Sequence, residues 1–416
     1  MARDILICGL DIGSTLIRTV IAQKRKGSEA LVIVGVGEVP SAGVRKGVVI
    51  DLEDAVPAVA ASIAAAEQSS GYRVSSCFVS LSGPHISSRY SKGVVSVSRA
   101  DQEISRDDIV RALAQAQSIA VPPNKEIIHV LPKEYAVDGE SGIHDPLGMR
   151  GLRLEVNALV VEGSTPLLRN LATCIESANK DIDGLAVAAL ASARAVLTKR
   201  QMELGVIALD IGGWTSGITA FEEGNVIHTA VLPVGAAHVT NDIAIGLQLD
   251  IDLAEAVKVR SGVCRADAVN KREMITLGSE EDNEKLGVIS RKEVAEIIEA
   301  RLDEIFDLVD RELKKISKQM LFPGGVVLTG GGARMNGIAE FAKQRLKLPV
   351  HIGVPLRLDG IVDQTATPEY ATAVGLCLLS LDGMEKKGTT GIFPWGEQIS
   401  HVSGGFLRRW ARMFLP

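Results

Sequence analysis

Two short stretches of this 416-residue chain share one pattern, although nearly half of the chain separates them. Residues 5–22 read ILICGLDIGSTLIRTVIA and residues 204–221 read LGVIALDIGGWTSGITAF. Each has an apolar, strand-like run, an Asp-Ile-Gly turn with small polar residues, and a second β-rich run. A strand–turn–strand element used twice predicts an α/β protein with two similar halves that face each other.

The first turn has the residues of a phosphate-binding loop. Gly13 lets backbone approach an anion closely, and the hydroxyls of Ser14 and Thr15 can donate hydrogen bonds to phosphate oxygens. Asp11 is a candidate ligand for Mg²⁺, because that ion keeps several waters and takes few carboxylates. Considered alone, the segment fits an ordinary β-turn equally well.

The second copy of the turn repeats this chemistry. Asp210 takes the place of Asp11, and Gly212, Gly213 and Thr215 follow it. Two such loops can clamp one polyphosphate and share one metal ion. The duplication therefore favours a phosphate site over two unrelated turns.

Two further segments are candidates for binding a nucleoside. One is a glycine-rich stretch after a strand-like run at 325–329, where small residues let a flat group lie against backbone; a plain loop before a helix is the alternative. Its candidates are Gly330, Gly331, Gly332 and Arg334. The other is Glu255 with Lys258, three positions apart on one helix face. They can contact a ribose and flank a base, or form an ordinary surface ion pair.

Composition excludes several classes of protein. The net charge of −6 and an aromatic content of 4% argue against a nucleic-acid binder, which needs a basic field and stacking platforms. Five dispersed cysteines without a CxxC pair predict neither a disulfide framework nor a zinc site. We find no signal-peptide pattern, and the longest apolar stretch, 184–197, is too short to span a bilayer. Any membrane contact is therefore predicted to be peripheral.

The last part of the chain changes character. From about 382 to 402 it is rich in Gly, Lys, Thr and Ser, which predicts a flexible linker. Residues 403–416 read SGGFLRRWARMFLP, and on a helix their apolar and basic side chains lie on opposite sides. This pattern is typical of a helix lying in the plane of an anionic membrane; a helix packed on the protein's own body is the alternative. The membrane candidates are Phe406, Leu407, Arg408, Arg409, Trp410, Arg412, Met413 and Phe414.

Longer motifs resemble the FtsA family of bacterial cell-division proteins, within the superfamily of actin, sugar kinases and heat-shock chaperones. The likeness covers nearly the whole chain and is specific to the family. In the first half the motifs are VPSAGVRKGVVIDLEDA (39–55), SLSGPHISSRYSKGVV (80–95), EIIHVLPKEYAVDG (126–139) and GIHDPLGMRGLRLEV (142–156). In the second half they are LPVGAAHVTNDIAIGL (232–247), AEAVKVRSG (254–262), TGGGARMNGI (329–338) and EYATAVGL (369–376).

The resemblance implies an actin-like ATPase fold, with ATP and Mg²⁺ in a central cleft and an FtsA-type subdomain inserted in the first half. It predicts a first half at 1–83 and 162–200, an inserted interaction subdomain at 84–161, and a second half at 201–381 with a subdomain at about 236–322. The linker at 382–402 and the amphipathic helix at 403–416 complete the predicted organisation.

The resemblance also implies a function. FtsA-like proteins polymerise and tether filaments of FtsZ, the tubulin-like division protein, to the cytoplasmic face of the inner membrane at the division septum. They also help to recruit later division proteins. The partners expected are therefore FtsZ, further copies of this chain, anionic lipids and later division proteins, with no nucleic acid. Arg301, on a helix predicted at 290–318, is a candidate contact for FtsZ.

The phosphate loops depart from the family pattern. Leu16 stands where a lysine is common, Trp214 where a third glycine is usual, and Gly217 where a later aspartate is found. No residue is identified as a catalytic base, so we expect at most a weak ATPase that serves mainly as a scaffold. A pilus-assembly actin homologue and a small-molecule kinase of the same superfamily are the alternatives.

Overall fold

The computed structural model describes residues 5–25, 30–118, 121–277, 287–316, 322–356 and 358–386. The chain begins with strands of the first sheet and a helix that covers them. Asp51 caps this helix by accepting a hydrogen bond from the Glu53 amide, and Gly71, at φ 72°, ends it. These elements are β1 Ile5–Ile12, β2 Leu16–Lys24, β3 Leu31–Pro40, β4 Val44–Arg45, β5 Val48–Val49, α1 Leu52–Ser70 and β6 Ser76–Leu81.

The next segment forms a separate four-stranded antiparallel sheet covered by one helix, in the order β7-β10-β8-β9. Its elements are β7 Ser87–Ser96, α2 Arg106–Gln117, β8 Lys125–Val137, β9 Glu140–Ile143 and β10 Arg153–Ser164. The sequence Ser105-Arg-Asp-Asp108 indicates a capping box at the start of α2, and the structure confirms it. This is the inserted subdomain.

The chain then returns to the first half through α3 Thr165–Ser177, β11 Asp181–Val187, α4 Ala188–Val196 and α5 Lys199–Leu204. The sequence of residues 187–200 indicates a single helix, and the structure shows this prediction to be wrong. Leu197 takes an extended conformation, and Thr198 starts a new helix by capping it together with Gln201.

The second half repeats the plan of the first. The helix predicted at 290–318 has apolar residues at 3.6-residue spacing, and the observed helix α8 buries four of them: Val294, Ile298, Leu302 and Val309. The elements are β12 Val206–Ile211, β13 Ser216–Glu222, β14 Asn225–Leu232, α6 Ala236–Gly246, α7 Ile251–Ser261, β15 Met274–Leu277, β16 Gly287–Ser290, α8 Arg291–Ile316, β17 Val326–Thr329, α9 Ile338–Leu346 and β18 Val350–Ile352.

The end of the described chain crosses back to the first half, so the predicted boundary at 381 is too late. The crossing elements are β19 Leu358–Gly360, α10 Val362–Thr365 and α11 Ala371–Lys386. Strand β19 pairs with β3 in the first sheet. Helix α11 packs closely on β1. A Cβ on Gly9 of β1 would lie only 2.3 Å from the Ala373 carbonyl oxygen of α11, so this approach requires glycine. Helix α11 continues to Lys386, so residues 382–386, predicted as the start of the linker, are helical.

The two halves share one strand order. The first sheet reads β11-β6-β1-β2-β3, followed by β19, and the second reads β18-β17-β12-β13-β14. In both, the central hairpin is antiparallel and the next two strands are parallel to its first strand. The duplication predicted from the sequence is confirmed, and the turns after β1 and β12 occupy equivalent positions. Within the described ranges, no helix is both long and apolar enough to cross a bilayer.

Candidate functional site

The first loop is held by the segment that follows β3. The Gly47 amide donates a hydrogen bond to Ser14 Oγ at 2.5 Å, and the Ser41 amide donates to the Thr15 carbonyl oxygen at 2.9 Å. A Cβ on Gly13 would lie 2.6 Å from the Leu16 carbonyl oxygen, so the tight turn requires glycine. The turn is therefore fixed at both of its hydroxyl residues.

The second loop is held by the start of α6. The amides of Ala236 and Ala237 donate to the carbonyl oxygens of Gly212 and Gly213 at 2.9 and 2.7 Å. A Cβ on Gly235 would lie 2.5 Å from the Gly212 oxygen, so only glycine allows this approach. The loop carbonyls thereby satisfy N–H groups in the first turn of the helix.

The structure brings the two loops into contact. A Cβ on Gly213 would lie 2.2 Å from Thr15 Oγ1, and Thr215 Oγ1 lies 3.3 Å from Ser82 Oγ. Trp214 lies edge-on to His238, with ring centroids 5.1 Å apart. Its indole is half-buried against α6. The second half of the protein therefore accommodates a tryptophan at the position where the family pattern has a glycine.

The two predicted metal ligands lie close enough to affect each other's charge. Asp11 accepts a hydrogen bond from Ser80 Oγ at 2.8 Å, and Asp210 accepts one from Thr372 Oγ1 at 3.1 Å. Burial raises the pKa of Asp11. Burial, followed by the charge of Asp11, raises the pKa of Asp210 to about 6.

Two neighbouring carboxylates repel each other when both are ionised. They are therefore suited to binding one hydrated cation, because its positive charge would offset this repulsion. In the part of the chain that the structure describes, no group of three or more His, Cys, Asp or Glu residues could hold a metal.

The glycine-rich segment packs directly on the second loop. Gly330 has φ 80°, and a Cβ there would lie 2.2 Å from Asp210 Oδ1. Gly331 has open space where its side chain would be, and Gly332 packs on Ile211. Arg334 pairs with Glu369 at 2.6 Å. The open backbone at Gly331 is where a flat group could rest.

Glu255 and Lys258 form an ion pair at 2.6 Å. Lys258 is buried and also donates to Thr240 Oγ1 at 2.8 Å and to the Ala236 carbonyl oxygen at 3.4 Å. These contacts connect α7 to the first turn of α6, next to the second loop. Lys258 therefore braces the loop, and the half-exposed Glu255 takes part by accepting hydrogen bonds from Lys258 and from Thr240 Oγ1.

Sequence reasoning missed the groups that hold the carboxylates. Ser80 and Thr372 come from β6 and α11, and neither lies in a glycine-rich motif. Arg18 is paired with Asp11 in the register of the first hairpin, and its charge lowers the pKa of both aspartates. Of these three residues, only Arg18 could have been predicted from the sequence, because the register of an antiparallel hairpin places it opposite Asp11.

The remaining predicted residues lie outside the cleft or outside the described ranges. Arg301 on α8 bonds both Asp242 oxygens, at 2.5 and 2.8 Å, and Glu304 at 2.6 Å. The predicted linker beyond 386 and the membrane candidates at 406–414 lie outside the residues that the structure describes.

Comparison with known proteins identifies the family. The family model "Cell division protein FtsA" matches residues 207–375, and the model "SHS2 domain inserted in FTSA" matches residues 83–162. The chain is 38% identical to Cell division protein FtsA of Pseudomonas aeruginosa, over 98% of this chain and 97% of that protein. It is 36% identical to that of Borreliella burgdorferi, over 99% and 100%.

Solved structures share the fold at much lower identity. The chain is similar to a chain of the PilM-PilN type IV pilus biogenesis complex, with a TM-score of 0.63 and 18% identity over 89% of this chain and 97% of that one. It is similar to MreB5 of Spiroplasma citri bound to ADP, with a TM-score of 0.54 and 13% identity over 93% and 99%. These likenesses show the actin-like ATPase fold alone. The matches over the full chain show more: this protein belongs to the FtsA family of cell-division proteins.

Proposed function

We propose that the cleft between the two loops binds ATP with Mg²⁺. The observation that carries the proposal is the contact of two equivalent Asp-Ile-Gly loops, which brings Asp11 within electrostatic reach of Asp210. The loops offer backbone N–H groups and hydroxyls to phosphates, and Gly331 offers open backbone to the nucleoside. One neighbour in fold is an MreB5 bound to ADP, which supports a nucleotide in this cleft.

The residues have separate roles in this proposal. Asp11 and Asp210 hold hydrated Mg²⁺, and Ser80 and Thr372 orient them. When bound, Mg²⁺ neutralises part of the phosphate charge. Gly217 has no room for a larger residue, because a Cβ there would lie 2.7 Å from Ala189 Cβ. We therefore propose a nucleotide-binding protein with at most slow hydrolysis.

Calorimetric titration of the full chain with ATP tests this proposal. We expect binding in Mg²⁺ and a large loss in EDTA. The variant Asp210→Asn should bind Mg²⁺·ATP at least about tenfold more weakly, whereas Asp181→Asn, an exposed aspartate at the start of β11, should match the wild type. Equal affinity in all three proteins would contradict the site.

We further propose that the chain acts in cell division as a self-assembling scaffold that tethers FtsZ filaments to the cytoplasmic face of the membrane and recruits later division proteins. Family membership over nearly the full length supports a role in division. The pattern at 406–414, with aromatic anchors opposite three arginines, supports peripheral attachment to anionic lipids. A single helix of this kind binds weakly, so self-assembly would make attachment stable.

Vesicle sedimentation tests the membrane part of the proposal. The full chain should pellet with anionic vesicles, and Trp410→Ala should weaken this by removing an aromatic anchor. Trp395→Ala, in the linker, is the matched control and should behave as the wild type. Equal binding by both variants would assign attachment to another part of the chain.

A further inference from the structure

The two loops lack a positive charge of their own. Residues 13–16 and 212–215 contain only Gly, Ser, Thr, Leu and Trp side chains. A nucleoside triphosphate carries more negative charge than one Mg²⁺ neutralises, and a charged donor bonds phosphate more strongly than a neutral one. A cationic side chain from elsewhere in the fold should therefore reach the terminal phosphate.

Most cations near the loops are already paired with a carboxylate. Arg18 bonds Glu38 at 2.6 Å and lies over the Tyr370 ring. Two more cations, Lys258 and Arg334, pair with Glu255 and Glu369. Each would have to give up a short ion pair to bind phosphate.

Lys46 is different. It lies in the turn between β4 and β5, is half-buried, and has no ion pair among residues 5–25, 30–118 and the other described ranges. The next residue, Gly47, donates its amide hydrogen bond to Ser14 Oγ, so the turn is fixed to the first loop. The backbone beside Lys46 is thus fixed to the phosphate loop, and its ammonium has no carboxylate partner among the described residues.

The charge of Lys46 also reaches the opposite side of the cleft. Burial lowers the pKa of His238, and the charges of Arg301 and Lys46 lower it further. His238 lies in the first turn of α6 and contacts Trp214 of the second loop. Lys46 therefore lies within electrostatic reach of both loops, where a terminal phosphate would be held.

The backbone of Lys46 gives a second reason to assign its side chain a role. Its φ is 50°, a left-handed conformation that costs a non-glycine residue energy and that glycine adopts freely. Glycine at this position would relieve the strain, so the turn itself does not require lysine.

We propose that Lys46 is a specificity-determining residue that binds the terminal phosphate of a nucleoside triphosphate across the two loops. The proposal rests on the nucleotide binding proposed above. It predicts that Lys46 distinguishes ATP from ADP and contributes little to binding of the diphosphate.

Titration of the full chain with Mg²⁺·ATP and with Mg²⁺·ADP tests this assignment. Lys46→Gln and Lys46→Gly should each lose about tenfold or more in ATP affinity, and both should keep ADP affinity within about twofold. Lys46→Arg should retain most of the preference for ATP. Arg45→Gln, which removes an equal charge from the exposed neighbouring position, is the matched control and should bind as the wild type.

The outcomes separate this inference from the proposed function. If the wild type binds ATP and ADP but the Lys46 variants bind both unchanged, or lose both equally, Lys46 does not recognise the terminal phosphate. The same conclusion follows if Arg45→Gln reproduces the loss, because the effect is then one of general charge. If the wild type binds neither nucleotide, the nucleotide proposal itself fails, and the role of Lys46 fails with it.

Discussion

Arg194 and Asp382 form a two-point ion pair that closes the first half of the molecule. Arg194 Nε lies 2.7 Å from Asp382 Oδ2, and Nη2 lies 3.0 Å from Oδ1. Arg194 is on α4, before the second half, and Asp382 is on α11, after it. The pair therefore joins helices that the whole second half separates in sequence, and it helps to fix the crossing of the chain between the halves.

Asp382→Asn should destabilise the protein by about 2 kcal/mol, because a largely buried arginine loses its charged partner. Urea unfolding measures this change. Lys292→Gln is the control: Lys292 pairs with the exposed Glu296 at 3.9 Å, and its loss should change stability by less than about 0.5 kcal/mol. If the two variants lost equal stability, the α4–α11 pair would have no special role.

Gly330→Ala should weaken Mg²⁺·ATP binding by about tenfold or more. The new methyl group would lie 2.2 Å from Asp210 Oδ1 on a backbone at φ 80°, and strain of about 1–3 kcal/mol is the usual cost of such a position. Gly224→Ala, in the turn between β13 and β14, is a matched control, because its φ of 81° is similar and nothing lies within 4 Å of its added Cβ. Titration calorimetry on both variants checks the prediction, and equal affinities would separate this loop from the site.

His129 should make stability depend on pH below neutrality. It is fully buried on β8, its Nε2 accepts a hydrogen bond from the Val187 amide, and burial lowers its pKa to about 3. Between its ordinary pKa of about 6.5 and pH 3, the unfolded chain binds a proton that the folded chain does not. The contribution of the neutral His129 to the free energy of unfolding is therefore complete above about pH 6.5, and it is lost as the pH falls towards 3.

The variant His129→Gln tests this dependence, because it keeps an acceptor and cannot titrate. Its unfolding free energy should fall less steeply with decreasing pH than that of the wild type, by up to about 1.4 kcal/mol per pH unit. Urea unfolding between pH 4 and 7.5 measures the two slopes. Parallel slopes would mean that His129 is protonated in the folded protein.

The inserted subdomain contacts the second half as well as the first. The Tyr90 hydroxyl donates to the Ile227 carbonyl oxygen, and Ser88 Oγ donates to the Thr229 carbonyl oxygen at 2.8 Å. Tyr90→Phe should loosen this contact by about 1 kcal/mol and speed amide hydrogen exchange in β7 and β14. Tyr72→Phe, at an exposed position on the first half, should leave those rates unchanged. Unchanged exchange in Tyr90→Phe would show that the hydroxyl does not hold the subdomain.

Local patterns in the sequence were enough to predict the duplicated hairpins and their loops. The apolar, β-rich runs defined both central hairpins, and the turn residues marked the phosphate loops. The return of the chain at 358–386 could not be predicted in the same way. Strand β19 has only three residues, and the contact of Gly375 with α4, where a Cβ would lie 1.8 Å from the Ala191 carbonyl oxygen, exists only in the folded protein.

The same limit applies to the candidate site. Asp11 and Asp210 were found because each lies near the end of a strand in a repeated motif. Ser80 and Thr372 were not, because single hydroxyl residues on a strand and a helix carry no signal of what they will face. Gly235 was missed as well, since its role is to let α6 approach the second loop and not to contact a ligand.

The proposed function requires this protein to connect FtsZ filaments to a membrane. Sedimentation of labelled FtsZ filaments with anionic vesicles tests this connection, with the full chain compared with a chain that ends at Ser403. We expect only the full chain to carry FtsZ into the vesicle pellet, while the shortened chain still binds filaments in solution. If the full chain pellets with vesicles and leaves FtsZ in the supernatant, the tethering function is contradicted.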